Sequence, residues 1–164
     1  MNIYTIGFTQ KTAEEFFNLL QQHGIECIVD IRMHPEGQLA GFTKKEDLRY
    51  FLKRLIGCDY RYIDRLAPTN EILKGYRASK DWAQYEAAFQ VLLDQRGIPE
   101  TLDRTLFEEK KCCLLCSEAT PHHCHRRLAA GRHCAAARDP PHRREDDRMR
   151  RRLEWLTIAA LLCA

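Results

Sequence analysis

The stretch Cys116-Ser117-Glu118-Ala119-Thr120-Pro121-His122-His123-Cys124-His125-Arg126 concentrates two thiols, a carboxylate, three imidazoles and a guanidinium. A thiol near a helix amino terminus, beside Arg or a protonated His, ionises at neutral pH, and the same free N–H groups would hold an anion together with Arg126. This pattern predicts attack by Cys116 or Cys124, with Glu118 and His125 moving protons. A competing reading makes Cys116 a small buried residue, gives His125 a backbone carbonyl to satisfy, and pairs Arg126 with Asp30.

A second chemical group ends the apolar run Cys27-Ile28-Val29-Asp30-Ile31-Arg32. Two apart on a strand, Asp30 and Arg32 leave on the same face. Charges there are costly unless they serve a purpose, so Asp30 is expected to handle protons and Arg32 to hold an anion. The plainer alternative is an ion pair that fastens the strand end. A zinc or iron site from Cys116, Cys124 and one of His122, His123 or His125 suits thiolate and imidazole chemistry, but the spacing matches no recognised four-ligand pattern, so no metal is assigned. Cys113 and Cys116 resemble a Cys-x-x-Cys pair, yet within a strand they point to opposite faces. No cofactor is assigned.

The surrounding sequence must position these groups. Ile3-Tyr4-Thr5-Ile6 reads as a strand ending at Gly7, and Thr12-x-x-Glu15 as the capping box of a helix carrying Ala13, Phe16, Phe17 and Leu20 on one face. Glu26 to Arg32 reads as a strand buried on both faces, and Thr43-x-x-Glu46 as the start of a second helix. Tyr60 to Ile63 is a third strand. A short helix follows Pro68 and Thr69, and a longer one from Ser79 places Trp82, Tyr85, Phe89, Leu92 and Leu93 on one side. Pro99 opens another helix, Lys111 to Cys116 forms a fourth strand, and a last helix begins near Cys124.

Strand alternating with helix predicts an α/β domain, a small mostly parallel sheet of four to five strands flanked by helices. In such sheets ligands bind beyond the carboxyl ends of the strands. Gly7 and Thr9, Asp30 to His34, and Ser117 to Arg126 occupy those positions, and Gly7 and Thr9 are accordingly expected at the anion.

At these residues the chain resembles the domain-of-unknown-function 488 family. The likeness rests on Thr5-Ile6-Gly7-Phe8-Thr9, Val29-Asp30-Ile31-Arg32, Leu39-Ala40-Gly41-Phe42-Thr43-Lys44-Lys45-Glu46-Asp47-Leu48, Leu66-Ala67-Pro68-Thr69, and Leu114-Leu115-Cys116-Ser117-Glu118 with His123-Cys124-His125-Arg126-Arg127-Leu128. The resemblance implies one compact α/β domain over residues 1–130, with Asp30, Arg32, Cys116, Glu118, Cys124, His125 and Arg126 at motif positions. It carries no established activity. Rhodanese-like domains offer a fold-level analogy, with a shorter loop.

Residues 131–164 depart from the family. All eight lysines lie at or before Lys111, whereas residues 126–164 hold ten arginines against five acidic residues, and Pro140-Pro141 interrupts any helix. A frame-altered or replaced end lacking the family's last strand is expected; a genuine basic arm that binds nucleic acid competes with it.

Size and 45% hydrophobic content suffice for one domain with a core of its own. Neither a secretory signal nor a membrane span is legible, so a cytoplasmic setting and reduced cysteines are expected, with no membrane partner. The leading expectation is an enzyme acting on an anionic small molecule, related to a nucleotide or nucleic acid. The alternative is a non-enzymatic module that binds nucleic acid or a partner, with or without a Cys/His metal site.

Overall fold

The computed structural model describes residues 3–37 and 40–138. Four short strands, β1 (Tyr4–Gly7), β2 (Cys27–Asp30), β3 (Asp59–Tyr62) and β4 (Cys112–Cys116), form one sheet in the order β1-β4-β2-β3, and every pairing is parallel. Strands β1, β2 and β4 are buried throughout, as their nearly unbroken apolar sequences require. Among the described residues six helices cover the faces: α1 (Ala13–Gln22), α2 (Lys45–Ile56), α3 (Asn70–Ser79), α4 (Trp82–Gln95), α5 (Arg104–Glu109) and α6 (His125–Arg138). The α/β architecture matches the expectation from sequence.

Two core layers divide the residues by strand parity. On one face Ile28, Cys113 and Leu115 pack with Phe16, Phe17 and Leu20 of α1 and Leu48 and Leu52 of α2. On the other, Cys27, Val29, Ile31, Cys112 and Leu114 pack with Tyr85, Phe89 and Leu93 of α4 and Leu128 to Ala130 of α6. Consequently β1 and β2 lead into helices on the first face, whereas β4, which lies between them, leads into α6 on the second. The direction of winding thus switches at the carboxyl end of β4, the position at which open α/β sheets commonly place their ligands.

Local chemistry sets the helix boundaries. Thr12 and Glu15 form the capping box that opens α1, with Glu15 N–H donating to Thr12 Oγ1 at 3.1 Å and Thr12 N–H to Glu15 Oε2 at 2.7 Å. Thr43 does not repeat the motif. Its hydroxyl is buried and donates to Ala40 O at 2.8 Å, residues Gly41–Thr43 make a 3-10 turn, and α2 begins only at Lys45. Ser79 ends α3 and does not start α4, because Asp81 caps α4 by accepting from Gln84 N–H at 3.0 Å. Pro99 lies in turns closed by Thr101 N–H to Gly97 O and Leu102 N–H to Pro99 O, and with Ile98 anchored in the core the next helix waits until Arg104.

Helix α6 continues to Arg138, past the expected boundary at residue 130. The expectations for the remaining tail, including the Pro140-Pro141 break, the altered frame and the missing strand, lie outside the described residues. Among those described, no helix is long and apolar enough to cross a membrane.

Candidate active site

Cys116 is the last residue of β4, so its position is set by the parallel ladder in which Leu115 pairs with both Ile6 and Asp30. By parity it faces the α4/α6 side with Cys112 and Leu114. Cys124 immediately precedes α6 and His125 opens it, which brings a thiol, an imidazole and the free N–H groups of the helix start back over the strand end. All are buried: Cys116 is 4% exposed, Cys124 2% and His125 8%.

The imidazole is held at both nitrogens. Nε2 lies 3.0 Å from Ile31 O, and since a carbonyl only accepts, Nε2 carries a hydrogen. Nδ1 then faces Cys116 Sγ at 3.6 Å. Phe89 meets the ring edge-on at a centroid distance of 5.9 Å, which fixes its plane.

These contacts move the proton equilibria in opposite directions. Cys116 is held well below the usual thiol range, chiefly because Cys124 S–H donates to its sulfur, with His125 and the Glu118 backbone N–H also favouring the thiolate against burial. Burial acts against a charged His125, but the adjacent Cys116 sulfur outweighs it and the net shift is upward. Cys124 moves up, first because its proton is bonded to Cys116 and then through burial. These directions favour a thiolate at Cys116 and a charged His125, with the proton retained on Cys124.

Arg126 is fully buried, and it binds the loop from within. Its guanidinium donates from Nη1 to Glu118 O and from Nη2 to Ala119 O at 3.3 Å, and Nη1 lies 3.7 Å from Cys124 Sγ. Gly7 makes this possible: a Cβ there would overlap the Glu118 carbonyl and approach Arg126 Nη1 to 2.6 Å. Thr9 completes the clamp, its N–H donating to Ser117 O at 3.1 Å and its hydroxyl to the same oxygen. Three residues expected at an anion therefore position the loop, and the exposed Glu118 contributes its backbone to that clamp.

Asp30 and Arg32 form a pair of their own. Arg32 Nε donates to Asp30 Oδ1 at 2.8 Å and Nη2 to Oδ2 at 2.5 Å, while Tyr60 O–H donates to Oδ2 at 2.7 Å. The Arg32 guanidinium also lies over the Phe8 ring, 5.4 Å from its centroid. Burial opposes the Arg32 charge, yet the bonds and charge of Asp30 raise its pKa overall. Ile28 and Leu115 place this cluster on the α1/α2 face, opposite Cys116. Strands β2 and β4 are neighbours, but the two groups occupy opposite faces of the sheet, and the Ile31 carbonyl, which accepts from His125, links them.

By sequence Tyr60 is only the start of a strand and Tyr85 only part of the apolar side of a helix. Tyr85 is indeed buried, but it also senses the site: burial raises its hydroxyl pKa, and Cys124, Cys116 and Glu118 raise it further. It stacks on Trp82 at 4.9 Å, and Trp82 in turn meets His123 at 5.1 Å. The signal available was the helical stripe Trp82, Tyr85, Phe89, which runs along the face that α6 covers. Among the described residues one donor set suits a metal, Cys116, Cys124 and His125, whose ligand atoms all lie within 4.8 Å of one another.

The profile of a family described as Domain of unknown function DUF488 matches residues 12–132. The chain belongs to the DUF488 family. Its matched region spans α1 through the first half of α6 and thus holds every candidate residue except Gly7 and Thr9, which precede it. No curated protein and no solved structure matches this DUF488 chain.

Proposed function

We propose that this DUF488 protein is a cysteine-dependent enzyme in which Cys116 attacks an anionic substrate, a phosphate-bearing or nucleotide-related electrophile, and His125 supplies and recovers the proton. The observation that carries this reading is the contact of Cys116 Sγ with His125 Nδ1 at 3.6 Å while the other ring nitrogen is committed to Ile31 O. The orienting carbonyl leaves the imidazole one way to act, toward the sulfur. The anionic preference is supported by α6, whose first turn is His-Arg-Arg with no acidic residue and whose dipole is positive at this end. Arg126 adds its charge beside Cys124. Cys124 is the hydrogen-bond donor that keeps the nucleophile ionised, and Asp30 with Arg32 and Tyr60 stiffens the strand whose Ile31 carbonyl orients His125. Burial of the sulfur requires the loop 117–123 to lift when substrate enters.

Competing alkylating reagents test both halves. Labelling of Cys116 by iodoacetate is expected to exceed labelling by iodoacetamide severalfold once each rate is divided by that of a simple thiol, and inorganic phosphate should suppress the difference. Equal normalised rates would remove the anionic preference, and failure of Cys116 to react in the folded protein would remove the nucleophile.

A second reading is favoured by the clustering of the three donor atoms within 4.8 Å. Two thiolates and an imidazole whose far nitrogen bonds a carbonyl form a suitable donor set for zinc, with one position left open. Elemental analysis of protein purified without chelator separates the two: stoichiometric zinc, with Cys116 protected until chelation, supports the metal, and metal-free protein with a reactive Cys116 supports the enzyme nucleophile.

A further inference from the structure

We infer that Cys116 and Cys124 act as a dithiol that reduces a hydroperoxide and closes into a disulfide across the 117–123 loop. This rests on Cys116 being the nucleophile and adds a second substrate class for the same centre. Three features of the structure support it. The two sulfurs lie within 4.8 Å of each other, one at a strand end and the other at the start of α6, with a seven-residue loop between them. His125 Nδ1 stands 3.6 Å from the attacking sulfur, where it can protonate a departing hydroxide. Both thiols are almost fully covered, which admits a small neutral oxidant more readily than a bulky disulfide.

The steps balance. The Cys116 thiolate attacks one oxygen of the hydroperoxide, the O–O bond breaks, and a sulfenic acid forms while the departing oxygen takes the His125 proton and leaves as water or an alcohol. The Cys124 sulfur then attacks the sulfenic sulfur; the S–O bond breaks, and the hydroxyl leaves as water with the thiol's proton. Two thiols are oxidised to one disulfide, and one peroxide bond is reduced.

Cys27 and Cys112, also buried and close enough to hydrogen-bond, provide the internal control, because they stand in neighbouring strands and, among the described residues, no histidine is one of the main groups that shift their ionisation. Hydrogen peroxide added to the full chain, followed by blocking of free thiols and cleavage after Glu118, should leave the Cys116 and Cys124 fragments joined until reduced, with Cys27 and Cys112 still free. In Cys124→Ser, and in Cys124→Ala should the serine variant not fold, a dimedone adduct should accumulate on Cys116. If Cys116 alkylates readily but peroxide yields neither the joined fragments nor the adduct, the dithiol inference is overturned and the nucleophile stands. If Cys116 reacts with neither reagent, both fall.

Discussion

Strand β4 carries Cys112 at its first position and Cys116 at its last, both on the face covered by α4 and α6, and each has a second cysteine as neighbour. At the amino end Cys112 stands in register with Cys27, its thiol donates to Leu106 O at 3.4 Å, and Cys27 donates to Ile28 O at 3.6 Å. The Cys112 proton lowers the Cys27 pKa and burial opposes that, as at the other end. The pairs share burial and a sulfur–sulfur hydrogen bond; they differ in what else surrounds them. Cys116 has an imidazole locked by Ile31 O, a loop N–H and the start of a helix, whereas at the amino end the Asp59 carboxylate pushes against ionisation and is set against the Lys110 and Arg61 cations. Pairing two buried thiols is therefore not enough to make a site. The carboxyl edge of a parallel sheet supplies the rest, because only there do loops lead into helix amino termini.

The largest way to break the comparison is at Gly7. Gly7→Ala forces a methyl group into the Glu118 carbonyl and should cost about 3 kcal/mol of stability, the upper range for overpacking, read as a lower denaturant midpoint. The displaced loop should raise hydrogen exchange at 117–123 and leave the strand around Cys27 and Cys112 unchanged. Equal loosening at both ends would mean that the clamp is not local.

Next in size are the thiol variants. Cys116→Ser should lower total iodoacetamide incorporation at pH 6 by roughly tenfold, since ordinary thiols are almost wholly protonated there, while Cys112→Ser should leave it unchanged. His125→Gln tests the cause of the difference. Cys116 is depressed, so its thiolate is present above its own pKa and is lost as pH falls through that value; His125 is raised, so its charge is present below its pKa and is lost as pH rises through it. The ion pair thus occupies the window between the two. Without His125 the Cys116 rate should climb by roughly tenfold per pH unit below the thiol's pKa, as for an ordinary thiol. An unchanged profile would assign the depression to Cys124 and the Glu118 N–H without His125.

The smallest effect sharpens the separation of the faces. Tyr60→Phe removes the hydroxyl bonded to Asp30 and should cost about 1–2 kcal/mol, yet alter Cys116 labelling less than twofold, because the ion pair lies on the other side of the sheet. A large change in labelling would show that the Asp30 cluster reaches the thiol through more than the Ile31 carbonyl.

These contrasts also mark what the sequence could disclose. The strands and the Cys/His/Arg loop were legible, because apolar runs and a Cys-His-Arg triplet need no tertiary information. Placing Asp30 and Arg32 together followed from strand parity alone. Placing them with Cys116 required the register between β2 and β4, which no local pattern contains: Asp30 pairs with Leu115, and in-register partners share a face. A one-residue slip would have put the carboxylate beside the sulfur. Likewise no local pattern shows that Arg126 donates to the Glu118 and Ala119 carbonyls, a contact made only when the loop closes over it. Thr43 carried a sound capping signal that Ala40 O won instead, a competition that only loop geometry decides.

The central claim is that thiol pairing is not enough by itself: the imidazole, loop N–H and helix start at the carboxyl end must add to the Cys124 hydrogen bond to make Cys116 a nucleophile. Site-resolved alkylation of the full chain between pH 5.5 and 8.5, read by mass spectrometry at Cys116 and at Cys27 and Cys112 together, tests it most directly. The account predicts a Cys116 rate that rises less steeply across the range than that of the amino-end pair. Parallel, steeply rising profiles at both ends would contradict it.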